Sequence, residues 1–159
     1  MPRHQSSVAS LQQALSMELT AVQQYLLHAH VLDDWGLDKL AAKMREEMQE
    51  ELGHAGKFIE RILFLGGTPE LEPAKKPVLA KSLEEMFESD RKDEDEAIDF
   101  YSGASKEAAE AGDVGTKVLF ETIAIDEEGH WDWLDRQLAL LDRMGEPAFI
   151  QVYFTGEAE

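Results

Sequence analysis

Apolar residues recur along this chain at three- and four-residue steps, the spacing of helices with one buried face. From about Ser7 to Asp34 the stripe is Leu11, Leu15, Leu19, Val22 and Leu26. It stops at Trp35-Gly36, where glycine suits the left-handed position after a helix end. A second helix is predicted from about Asp38 to Leu65, carrying Leu40, Met44, Met48, Leu52, Ile59 and Ile62 and ending at Gly66-Gly67. A third opens at Ser82, where Ser82-Leu83-Glu84-Glu85 reads as a capping box, and runs to about Ala111. Asp113 caps a fourth, which ends at Met144-Gly145. Pro147 opens a short fifth helix, EPAFIQVYF, because proline is tolerated in the first turn.

The connections predict the topology. Helices one and two are joined by a few residues, so they are antiparallel, and so are three and four. The connector GGTPELEPAKKPVLAK, residues 66–81, carries three prolines and is extended. At ~3.3 Å per residue it spans roughly 50 Å, against ~42 Å for a helix of about 28 residues. It is long enough to run the length of a bundle, which makes helices two and three parallel. The fold class expected is all-α: a four-helix bundle with one long crossover between helices two and three and a short C-terminal helix. One domain over 1–159 is expected, with the bundle at about 7–144 and the last helix at about 146–155.

Composition narrows the function. The net charge is −18, from 33 acids and 15 bases. So acidic a surface repels phosphate backbones and attracts cations, so nucleic acid is not an expected partner. There is no cysteine, which excludes disulfides, thiolate metal sites and cysteine nucleophiles. The start, MPRHQSSVAS, has no apolar core of a signal peptide, and no apolar run reaches membrane-spanning length, so the expected compartment is the cytoplasm.

The chemistry lies in a repeat. EELGH (50–54) and DEEGH (126–130) each place a Glu three residues before a His: Glu51 with His54, and Glu127 with His130. The two motifs are 76 positions apart, and so are Glu18 and Glu94, Tyr25 and Tyr101, and the acids Glu50 and Asp126. Helix one therefore maps onto three and two onto four, about a pseudo-two-fold axis. Residues three apart on a helix share a face, and the neighbours of these polar groups at helical spacing are apolar: Met44, Met48 and Phe58 on one helix, Ile123 and Leu134 on another. Four carboxylates facing a core repel one another, whereas two divalent cations balance them. A lone Glu-x-x-His is a weak signal in an acidic chain. One Glu on each of two helices plus Glu-x-x-His on each of the other two is the dimetal carboxylate arrangement of ferritin-like bundles.

The passages MELTAVQQYLLHAHVLDDWGL, EELGHAGKFIERILFLGGTP and DEEGHWDWLDRQLALLDRMG resemble those of the bacterioferritins, over essentially the whole chain. The resemblance implies a di-iron ferroxidase centre with two iron ions per subunit. Glu18 and Glu94 would be terminal carboxylates, Glu51 and Glu127 bridging ones, and His54 and His130 the nitrogen ligands. It also implies Fe(II) oxidation by O2 or peroxide, and a 24-subunit cage assembled from dimers that stores ferric mineral, its short last helix lining the four-fold axes.

Supporting positions follow. Tyr25 and Tyr101 are candidates to donate hydrogen bonds to ligand carboxylates across the core, and Asp90 to accept from a ligand histidine's outer N–H. Glu46, Glu50 and Asp126 match acids that guide iron in the family. His28 reads as structural, His30 as exposed, and Trp35, Trp131 and Trp133 as packing or interface residues. One departure concerns haem. The family binds haem b between two subunits through a methionine two residues before the first motif's His, and that position is Leu52. The chain alone is expected to be haem-free or to hold haem only weakly, unless a methionine-bearing second subunit co-assembles. Competing readings on the same bundle are a rubrerythrin-like peroxidase, a manganese catalase, and a metal-free acidic adaptor.

Overall fold

The computed structural model describes residues 4–153. Five helices follow in order: α1 Ser6–Asp34, α2 Asp38–Phe64, α3 Leu83–Glu110, α4 Val114–Met144 and α5 Glu146–Tyr153, and no strand occurs among the described residues. The bounds of α1 to α4 and the start of α5 lie within a residue or so of those the apolar spacing predicts. Phe154 and the residues after it lie outside the described residues. No described helix is long and apolar enough to cross a membrane.

Two tight turns build two antiparallel helix pairs. Gly36 and Gly112, themselves 76 positions apart, have φ of 80° and 74°. A residue with a Cβ adopts that conformation only under strain. The turns close with matching bonds, Leu37 N–H to Leu32 C=O at 2.9 Å and Asp113 N–H to Ala108 C=O at 2.8 Å. At the start of α3 the Ser82 hydroxyl accepts from the Glu85 amide at 3.1 Å, while Glu85 reaches back to the Lys81 amide at 3.3 Å.

The crossover is fastened to α1 by rungs that climb in the same order on both. Gln12 grips Glu70, donating to its carbonyl at 2.6 Å and accepting from its amide at 2.9 Å. Gln24 grips Val78 the same way, at 3.0 and 2.8 Å. Between them the Thr20 hydroxyl accepts from the Ala74 amide at 2.8 Å. The connector therefore runs parallel to α1 and returns the chain to the end from which α2 began. Helices α2 and α3 are parallel.

The stripe predicted on α1 rotates out of the core. Leu11 and Leu15 are fully buried, but Leu26 is 44% exposed. Steps of four overshoot the helical period by about 40° each, so the buried face continues instead through Glu18, Tyr25, His28 and Leu32. Two apolar clusters result. One holds Leu11, Leu15, Phe58, Ile62, Phe120 and Ile123. The other holds Leu32, Leu40, Met44, Phe87, Leu134 and Phe149, the last contributed by α5. Each fully buried side chain of this size stabilises the fold by roughly 1.5–3 kcal/mol. Between the clusters, at mid-bundle, lie the acids and imidazoles.

Candidate metal centre

Glu18, Glu51, His54, Glu94, Glu127 and His130 are all buried, each near the middle of its helix. Their donor atoms form two groups: Glu18, Glu51, His54 and Glu127, then Glu51, Glu94, Glu127 and His130, the atoms of each lying within 4.8 Å of one another. Glu51 and Glu127 belong to both groups, the position a bridging carboxylate occupies. The pseudo-two-fold shows in the distances. His54 Nδ1 is 2.8 Å from Glu127 Oε1, and His130 Nδ1 is 2.8 Å from Glu51 Oε1. The two imidazoles lie with ring centroids 6.3 Å apart.

Each of the six side chains carries a buried donor or acceptor atom without a hydrogen-bond partner: Oε2 of Glu18 and Glu94, Oε1 of Glu51 and Glu127, and Nδ1 of both histidines. The close imidazole–carboxylate approaches are thus out of line for hydrogen bonds. Unsatisfied buried polar atoms are costly, and six converging on one point fit cations held there. Carboxylate oxygens with one imidazole per metal suit Fe(II) or Mn(II).

Protonation without metal follows from the same crowding. Burial, then repulsion from Glu18 and Glu127, holds the Glu51 carboxyl well above the ordinary carboxylate range. Burial and the charge of Glu127 do the same to Glu94. Burial would also raise Glu127, but its contacts with Glu94, His130 and His54 outweigh that and lower it. Burial disfavours charge on the imidazoles too, yet the surrounding carboxylates prevail and hold His54 and His130 protonated far above their usual range.

The outer faces of the imidazoles are held as well. His54 Nε2 is 3.0 Å from Asp126 Oδ2. His130 Nε2 meets Glu50 and, at 2.7 Å, Glu47 Oε2. Asp90 does not accept from a ligand histidine. It is 2.9 Å from Nδ1 of His28, whose Nε2 is 2.8 Å from the Gln24 amide nitrogen. The rung that holds the crossover and this buried histidine share Gln24, which ties Asp90 to scaffolding. Asp126 and Glu50 take the position that the sequence reading gave to Asp90, while Glu47 Oε2 lies beside His130 out of line for a hydrogen bond. Glu46 is exposed, and so are Glu50 and Asp126 apart from these contacts.

Glu47 escaped the sequence reading. It is buried, paired with Lys43 Nζ at 2.7 Å, and one turn before Glu51 on the same face. That four-residue spacing was the available signal; the 76-residue repeat hid it, because Ile123 is its counterpart. The tyrosines keep the symmetry. Tyr25 donates to Glu94 Oε1 at 2.7 Å and Tyr101 to Glu18 Oε1 at 2.6 Å.

The ferritin-like domain model matches residues 8–144. The bacterioferritin of Rhodobacter capsulatus is 45% identical over 87% of this chain and 86% of its own, and that of Brucella melitensis 41% identical over 91% and 90%. The solved R. capsulatus protein superposes with a TM-score of 0.95 at 40% identity, covering all of both chains. It was solved with a metal-free dinuclear site and with haem iron in a crystallographic special position. Mycobacterium tuberculosis BfrA superposes with a TM-score of 0.94 at 34% identity over 98% of each chain. By the family model and by relatives matched over nearly its whole length, the chain belongs to the bacterioferritin family.

Proposed function

We propose that this chain is an iron store that oxidises its own cargo. Fe(II) is the substrate, held in pairs by Glu18, Glu51, His54, Glu94, Glu127 and His130, with two iron ions per subunit. The observation that carries the reading is the pair of interlocked donor groups sharing Glu51 and Glu127. Each Fe(II) gives one electron, so a pair supplies the two that reduce O2 to hydrogen peroxide, or peroxide to water. The protein's part is to hold two cations together, to accept their charge with four carboxylates, and to keep the imidazoles oriented through Asp126 and Glu50. Tyr25 and Tyr101 fix the carboxylates of Glu94 and Glu18 that each serve one metal. The exposed acids Glu46, Glu50 and Asp126 draw iron toward or away from the centre.

Oxidised iron is stored as ferric mineral in a cytoplasmic cage of 24 chains built from dimers. Exposed apolar residues on neighbouring helices, Leu26 and Leu52 among them, support subunit contact there. A second, methionine-bearing subunit is the route by which haem b would enter. The relatives favour this reading over a peroxidase or manganese catalase, since both curated relatives named above are bacterioferritins. The test is native mass by gel filtration with metal analysis on the same fraction. A particle of many subunits carrying iron is expected; a metal-free monomer of 17.9 kDa would overturn the reading.

A further inference from the structure

A cleft of about 200 Å³ opens between α1, α3 and the crossover and has the dimetal acids as its floor. Glu18, Glu51, Glu94 and Glu127 line its buried end, and Ala74, Lys75, Asp93 and Glu96 its outer end. The outer end is spanned by an ion pair, Lys75 Nζ to Asp93 Oδ1 at 2.7 Å. Asp93 is the first cause holding the ammonium above its ordinary range, with the charge of Glu96 also contributing.

A lysine is an unexpected group at the mouth of a cleft that ends in four carboxylates. On so acidic a chain, a fixed cation there opposes the entry of any other cation. Its position is set by the backbone rather than by its own pairing: the Thr20 hydroxyl accepts from the amides of Ala74 and Lys75, at 2.8 and 3.4 Å, and Ala74 N–H donates to Ser16 C=O at 3.1 Å. The segment is pinned, while the ammonium at its tip is half-exposed and held by an exposed pair that solvent and salt weaken. A pinned strap with a half-exposed charged tip is a counter-ion that an incoming dication can replace.

Resting on the proposed Fe(II) substrate, we propose that Lys75 and Asp93 form the entry filter of this cleft: Fe(II) displaces the Lys75 ammonium from Asp93 and passes from there to the carboxylates of the centre. Asp93 is the landing group and Lys75 the competing cation that sets its availability. Glu96 keeps the mouth net negative while the pair is closed. Both are positioning residues for uptake and touch no reacting atom after it. Monovalent ions, with half the charge, displace the ammonium less well, so the same pair favours divalent cations.

The test is anaerobic stopped-flow binding of Co(II), read by its visible absorption, to the assembled protein at low ionic strength. Lys75→Gln should bind about three- to tenfold faster than the parent and Asp93→Asn more slowly by a similar factor. Lys75→Arg, which restores the charge, should return the rate toward the parent's. The differences should shrink in 0.5 M salt, on the order of a 4 Å screening length. All four proteins should bind the same final amount of Co(II) and melt alike, because the strap is held by Thr20 and backbone. Any other order of the Lys75→Gln, parent and Asp93→Asn rates would overturn the filter. Saturation at about two Co(II) per chain with equal rates would overturn the filter alone. Failure of the parent to bind Co(II) at all would overturn both the filter and the Fe(II) reading on which it rests.

Discussion

The phenol of Tyr101 on α3 donates a 2.6 Å hydrogen bond to Glu18 on α1, 83 residues away in sequence. Its counterpart, Tyr25 on α1, donates to Glu94 on α3 at 2.7 Å. The two bonds cross the bundle in opposite directions and fasten one oxygen of each carboxylate that belongs to a single donor group, while the other oxygen has no hydrogen-bond partner. Both phenols border the cleft, and Tyr101 stands in addition among the rings of Phe58, Phe100 and Phe120.

Tyr101→Phe removes the donor and leaves a buried carboxylate oxygen without a partner. It should destabilise the metal-free protein by about 1–2 kcal/mol in chemical denaturation, with the same final metal content. Equal or higher stability would contradict the role given to this bond.

Divalent metal should displace protons. Burial and repulsion hold the carboxyls of Glu51 and Glu94 above their ordinary range, and the surrounding carboxylates do the same to the imidazoles of His54 and His130. Ligands must be deprotonated to bind metal, so binding should release protons and affinity should rise with pH. Calorimetry of Zn(II) binding in buffers of different ionisation enthalpy counts them. A release near zero would show that the centre is not protonated as described.

The far end of the bundle carries its own pH dependence. Asp113 caps α4, accepting from the Thr116 amide at 3.1 Å, and pairs with Arg61 Nη2 at 2.6 Å. Burial would raise its carboxyl, but the Thr116, Ser7 and Arg61 contacts bring it down to about 2. A lowered carboxyl stabilises the fold above its unfolded value and loses that contribution as pH falls from about 4 through 2. Asp113→Asn keeps a capping oxygen but not the charge. It should be less stable than the parent at pH 5 by on the order of 1 kcal/mol, after allowance for solvent screening at this end, and the gap should close toward pH 2. A gap independent of pH would assign the effect to the cap alone.

Haem tests the departure at Leu52, which is 49% exposed on α2 and offers only hydrocarbon. Protein expressed alone with added haem precursor should show a weak Soret band or none. Leu52→Met should create or strengthen it if dimers form about this residue. A strong band in the parent, near one haem per two chains, would contradict the expectation. Met48→Leu would then report whether the sulfur one turn earlier is the ligand.

The helices and the dimetal acids were legible because they obey local periods. Glu51 and His54 share a face by their three-residue spacing, and the repeat at 76 marks Glu127 and His130 as their counterparts. The crossover was legible from its prolines and length. Partners that meet only across helices were not. His28 and Asp90 are 62 residues apart and have Ala104 and Ala14 at their repeat positions, so neither period nor repeat announces them. Asp90 meets His28 and not His54 or His130. Leu26 falls off the apolar stripe because three of the four steps from Leu11 to it are of four residues, which together overshoot the helical period.

The dimetal reading stands or falls on stopped-flow oxidation of Fe(II) by the assembled parent and by the Glu51→Ala/Glu127→Ala double variant. Both lost carboxylates belong to both donor groups, so neither cation keeps its set. The fold should survive, since removing buried acids relieves repulsion in the metal-free site. With circular dichroism and native mass unchanged, the fast phase of oxidation should vanish in the variant. Oxidation as quick as the parent's would place the chemistry elsewhere in the protein.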